Sequence, residues 1–153
     1  MAKSYHQKSE FEERVLDLRR VTRVVAGGKR FSFRASLVIG NLKGKVGIGV
    51  AKGLDPAQAI EKARHQAQKN LINVELKDNR TIPFEIEAKY GASRVKIKPA
   101  RKNHGLVAGG ATRIVLQLAG VKDVSAKILG STTNKLTNAL ATIKALKQIQ
   151  NQK

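Results

Sequence analysis

The side chains in this sequence with the capacity for chemistry are mostly cations, and they come in short clusters. Arg19, Arg20 and Arg23 interrupt a Val- and Leu-rich segment, and Lys29 and Arg30 directly follow the pair Gly27-Gly28. Lys43 and Lys45 flank Gly44, Lys52 precedes Gly53, and Lys96, Lys98, Arg101 and Lys102 form a second group. Guanidinium and ammonium groups gathered in turns and hairpins neutralise phosphates, which holds a nucleic-acid backbone without reading its bases. Gly27 and Gly28 suit a turn that lets such a backbone come close.

Other chemistries find few reagents. His6, His65 and His104 are scattered, with no second His at helical spacing, and there is no cysteine. That argues against a metal site and excludes disulfides and thiolate ligands. Gly44-Lys45 is followed by Val46, where a phosphate-binding P-loop needs Ser or Thr; Gly47, Gly49 and Gly53 are spaced wrongly for a dinucleotide fingerprint. Glycines inside a strand instead let another backbone approach, that of protein or that of RNA. Glu85 and Glu87 read as the exposed face of a strand. Nothing here points to catalysis or to a cofactor. Aromatic residues make up 4%, with no Trp, and Phe31 and Phe33 share an inward parity. Base stacking is therefore disfavoured, and recognition of structured RNA by backbone or shape is favoured.

The charge balance points the same way. The 153 residues hold 30 Lys+Arg and 11 Asp+Glu, a formal net charge of +19. Residues 1–73 carry 15 and 6 of these, and residues 74–153 carry 15 and 5. Both halves thus call for a polyanion, and a chain so charged repels itself until neutralised. Hydrophobic residues reach 41%, enough for a globular protein. The N-terminal MAKSYHQKSEFEE has no apolar run and is not expected to be a signal peptide. No segment approaches the about 20 apolar residues of a membrane span.

The elements that must position these cations follow from periodicity. Residues 15–25 read as an edge strand with a cationic face. After the turn at 26–30, Phe31, Phe33, Ala35, Leu37 and Ile39 alternate as the inward side of a second strand. A turn at 41–44 leads to a third strand containing Val46, Ile48 and Val50. Asp55 as N-cap, Pro56 at the first position and Gln58 completing a capping box start a helix. Ile60, Ala63, Ala67 and Leu71 should lie on the sheet, with Lys62, His65 and Lys69 on another face. The polar NVELKDNR at 73–80 is the expected boundary between two domains, 12–73 and 80–150. Beyond it, residues 82–90 and 95–97 form a hairpin. Gly109-Gly110 precedes a helix closed by Gly120, residues 121–129 form a strand, and Asn134 caps a last helix bearing Leu136, Leu140, Ile143 and Leu146.

VAGGKRFSFRA, GKVGIGVAKG, PAQAIEKA and NLINV in the first block resemble bacterial small-subunit ribosomal protein five (S-five). GASRVKIKPA, GLVAGGATRIVLQLAGVKDVSAKILGST and NALATIKAL resemble it in the second, in the same order, from about Glu12 to Leu146. The chain departs from the family pattern at Asn103-His104-Gly105 and at Thr132-Thr133-Asn134, which lacks the usual proline. The resemblance implies an α+β fold of two small domains. The first is a βββα domain like a double-stranded-RNA-binding domain; the second is ββαβα with a left-handed βαβ crossover. It implies a structural constituent of the small ribosomal subunit that binds 16S-type ribosomal RNA and touches small-subunit proteins four and eight. It further implies a place near the messenger RNA entry side, an influence on translational accuracy, a cytoplasmic, ribosome-bound location and no small-molecule substrate. The loop 26–30 would reach toward RNA near the spectinomycin site, and Gly105 and Arg113 match positions facing protein four. A free-standing regulator that binds double-stranded RNA is the alternative reading.

Overall fold

The structure, a computed structural model, describes residues 10–151. His6 lies outside them. The first block is an antiparallel sheet of β1 (Glu12–Val25), β2 (Gly28–Gly40) and β3 (Lys45–Gly53), followed by helix α1 (Pro56–Lys69). A two-residue strand, β4 (Ile72–Asn73), then pairs with β3, so the order is β1-β2-β3-β4. The expected meander of three strands gains a fourth because a ladder of two residues leaves no period in the sequence.

The second block contains β5 (Ile86–Tyr90), β6 (Ser93–Pro99), β7 (Leu106–Val107), α2 (Gly110–Leu118), β8 (Val124–Ile128) and α3 (Lys135–Asn151). The sheet order is β5-β6-β8-β7, and the only parallel pair in it, β7 with β8, is joined through α2. The fold is the expected α+β arrangement, with β7 added. The hairpin strand expected from Ile82 starts only at Ile86. Pro83 lacks the N–H a ladder needs, and Lys77 bridges Thr81 instead.

Helix α1 packs on β3 through small residues on both sides. Ala59, Ala63 and Ala67 are fully buried, and they lie over Gly47, Gly49 and Gly53. A Cβ built on Gly49 would sit 1.9 Å from the Ala63 carbonyl oxygen, and one on Gly47 2.5 Å from that of Ala67. The backbone that approaches the strand glycines is thus the chain's own helix. At the start of α1, Asp55 occupies the N-cap with extended backbone but makes no side-chain cap bond. Gln58 Oε1 accepts from the Leu54 N–H at 3.0 Å, one residue before the position a capping box requires.

Alternation along β2 sends Ala35, Leu37 and Ile39 toward α1. Val38 points the other way. It joins Leu16, Val46 and Ile48 in one cluster with Val95, Ile97, Val115 and Leu146 of the second block. Each such buried side chain contributes about 1.5–3 kcal/mol. The sheet is therefore covered on both faces over its inner half. Its outer half is not. Phe31, expected inward, keeps its parity but is 47% exposed, because the hairpin outruns α1.

The two blocks also meet through backbone. The β2–β3 turn presents the Leu42 and Gly44 N–H groups to the carbonyls of Leu118 and Ala119, at 3.0 and 2.9 Å. These two carbonyls end α2; those of Val115, Leu116 and Gln117 before them accept from the Ala119, Val121 and Gly120 N–H groups. Gly120 follows at φ +86°, and a Cβ there would meet the Leu42 carbonyl oxygen at 2.2 Å. Only glycine satisfies both conditions.

Candidate nucleic-acid interface

The longest projecting feature is the β1–β2 hairpin. Its ladder runs from Glu12↔Gly40 to Val25↔Gly28, while β3 accompanies β2 only as far as Phe33↔Gly53. Residues 21–32 thus form a two-stranded ribbon with no third strand beside it among the described residues. Ala26 and Gly27 make the turn, and Gly28 has φ +131°. From Leu18 to Arg34 the sequence holds six cations and no carboxylate. Arg19, Arg20, Arg23, Lys29 and Arg30 are all exposed. The Arg20 guanidinium lies 3.9 Å from the centre of the Phe31 ring, a contact worth about 0.5–1 kcal/mol at such a site. It covers the aromatic face that base stacking would need.

The register gathers some predicted cations and separates others. Arg19 stands opposite Arg34, and Arg34 opposite Lys52, so these three cross the sheet in one row. Arg23 stands opposite Arg30. Arg34 was not among the sequence candidates; its identical parity to Arg30 is the signal that points to it. Lys43 and Lys45 lie at the other end of β2, on the order of 40 Å from the tip along the strand. They are exposed, but their turn is the one docked on α2.

Lys96 and Lys98 belong to a separate surface, the helix-free face of the second sheet. Both approach Glu85, at 2.6 and 3.6 Å, and Arg94 pairs with Glu87. The hydrogen bond to Lys96 holds the Glu85 carboxyl below the usual range and pushes the Lys96 ammonium up. Exposed pairs of this kind are worth little in water. They also mean that these cations meet a carboxylate before they meet a phosphate. Lys127, directly opposite Lys96, is a neighbour that alternation along β8 exposes and the sequence reading missed.

Arg101 and Lys102 sit in an exposed loop after β6, held by its base. The Gly105 N–H donates to Asp123 Oδ1 at 2.8 Å, and Arg80 Nη1 donates to Asp123 Oδ2 at 3.1 Å. The Gly105 bond first, and the Arg80 guanidinium beside it, hold the buried Asp123 carboxyl below its usual range. Asp123 therefore fastens the loop. Arg113 is exposed on α2 and donates to the Leu106 carbonyl at 3.2 Å. Gly105 and Arg113 thus share one edge, beside β7. Among the described residues, no three His, Cys, Asp or Glu side chains come together as metal ligands. No helix among them is long and apolar enough to cross a membrane.

Nearly the whole chain is similar to known proteins, in this same order. Residues 11–75 match the family model "Ribosomal protein S5, N-terminal domain", and residues 88–153 match "Ribosomal protein S5, C-terminal domain". The small ribosomal subunit protein uS5 of Campylobacter jejuni is 46% identical over 145 residues, covering 95% of this chain and 97% of the relative. The uS5c protein of Guillardia theta is 45% identical over 144 residues, covering 94% and 85%. That of Cyanophora paradoxa is 44% identical over 150 residues, covering 98% and 88%. With two sheets in the expected order, a cationic hairpin and full-length similarity at this level, the chain belongs to the ribosomal protein S5 family, structural and non-enzymatic constituents of the small ribosomal subunit.

Proposed function

We propose that this chain binds 16S-type small-subunit ribosomal RNA through the β1–β2 hairpin and Lys52, and so holds several RNA helices in one arrangement. The hairpin carries the reading, because it projects past β3 with six cations and no carboxylate between Leu18 and Arg34. Lys43, Lys45, Lys96, Lys98, Arg101 and Lys102 are further phosphate contacts, spread over a first domain at 12–73 and a second at 80–150. The edge bearing Gly105 and Arg113 faces small-subunit protein four, and protein eight is a second neighbour. The chain works in the cytoplasm on the ribosome, close to messenger RNA, and contributes to translational accuracy.

Affinity for small-subunit RNA measured across a salt series tests this. Each phosphate contact adds about 0.9 to the log–log slope on duplex RNA and about 0.7 on single strands. A steep fall with salt is expected, and a nearly flat response overturns the proposal.

A further inference from the structure

We infer that the face of the first sheet turned away from α1 carries a rail for one RNA sugar–phosphate strand, with Arg34 at its centre. The inference rests on the RNA-binding reading above and gives it a face, a direction and a residue.

The rail is visible in the cross-strand register. On the face shared with Val38, Arg19 opposes Arg34 and Arg34 opposes Lys52, and two rows nearer the tip Arg23 opposes Arg30. The row between them is Val21 opposite Ser32. Like charges directly opposite destabilise a ladder. Chance does not place them so on the α1 side of the same ribbon. There Arg20 opposes Phe33, Thr22 opposes Phe31 and Val24 opposes Lys29. The cations are stacked against one another on one face only.

Among the described residues, Arg23, Arg30, Arg34 and Lys52 have no carboxylate within ion-pair distance. Glu12 lies on this face at its far end, opposite Gly40, and the acid beside these rows, Asp17, takes Arg19 at 2.5 Å. Among the described residues, one carboxylate thus lies within ion-pair reach of these five cations, and an external anion must supply the rest.

The spacing selects the form of that anion. Rows two residues apart repeat at about 6.6 Å along the strands, close to the separation of successive phosphates along one nucleic-acid strand. Arg23 with Arg30 takes one phosphate, the Ser32 hydroxyl lies by the next, and Arg19, Arg34 and Lys52 take the third. Beyond Arg34 the face closes into a cleft of about 50 Å³ between Ser36 and the start of α3 at Asn134 and Leu136. A nucleotide does not fit there. The strand therefore enters at the hairpin tip and leaves over Lys52.

The test uses the full chain and a short oligouridylate as probe, with binding followed by fluorescence anisotropy over a salt series. Arg30→Gln with Arg34→Gln should weaken binding roughly tenfold or more and lower the salt slope by about 1.4, two single-strand contacts. The free double variant should melt about 1–3 °C higher, because opposed charges are removed. Arg34→Lys should keep most of the slope. Lys62→Gln with Lys69→Gln, on the outer face of α1, should leave it unchanged. An unchanged slope in the Arg30/Arg34 variant, with the wild-type chain binding, overturns the rail and leaves RNA binding standing, as does a lower melting temperature with normal binding. A wild-type chain that ignores salt overturns the RNA reading and the rail together.

Discussion

Replacing Gly49 by alanine separates two uses of a strand glycine, room for RNA and room for the chain's own helix. The added methyl would lie 1.9 Å from the Ala63 carbonyl oxygen and 2.6 Å from the Ala67 nitrogen. Non-bonded heavy atoms settle near 3.5 Å, so α1 must withdraw by about 1.5 Å. Both obstructing atoms are backbone, and no rotamer change moves them. Withdrawal also opens gaps beneath Ala59 and Ala67, which forfeits dispersion along the whole contact. Overpacking of this kind costs about 1–3 kcal/mol, and the immobile neighbours put Gly49 at the upper end. The lower chain entropy of alanine when unfolded returns about 0.4–1 kcal/mol. The net loss is then about 2 kcal/mol, or roughly 4–8 °C in melting temperature for a chain of this size. Thermal and urea unfolding of the free chain, without RNA, measure it. Gly27→Ala is the control, since a Cβ there meets nothing within 4 Å. A Gly49→Ala chain that is as stable as the parent when free, but binds RNA poorly, would refute the packing argument and return the glycine to RNA.

Two further outcomes follow from the described contacts. Asp123→Asn should lower the melting temperature at neutral pH. The Asp123 carboxyl sits below its ordinary 3.8 in the fold, so its contribution is present above that value and is lost as pH falls through the folded one. The gap between parent and variant should therefore close in acid; a gap constant down to pH values below that range would contradict the assignment. Phe31→Ala should cost less than about 1 kcal/mol, since it loses a cation–π contact and little burial. A loss typical of a core aromatic, about 3–5 kcal/mol, would show that the hairpin tip is anchored after all.

Much of this fold is legible in the sequence because long elements repeat their period many times. The alternation through Phe33, Leu37 and Ile39 and the helical spacing of Ala63 and Ala67 survive any choice of boundaries. β4 and β7 are two residues each and repeat nothing. Burial of Val38 escapes a period-two reading, which assigns only one inward face; the second is created by contact with the other block. The candidate site shows the same division. Clusters of cations announce the hairpin and its ligand class. Which cations face one another is a property of register, so Arg34 reads in sequence as an ordinary outward residue. The carboxylates that occupy Lys96, Lys98 and Arg94 come from a neighbouring strand and the segment leading into it, and lie 7 to 13 positions away in sequence.

The turn that closes α2 has a consequence for the order in which the chain is made. Leu42 and Gly44 leave the synthesising machinery long before Leu118 and Ala119, the carbonyls their amides must satisfy. Through that interval the young meander keeps two donors waiting in water, and Val38, Val46 and Ile48 remain uncovered. A chain interrupted near residue 80 would hold this exposed apolar surface and its cationic hairpin together. The nascent protein is therefore most prone to bind wrongly in that window, and adding α2 and then α3 ends it.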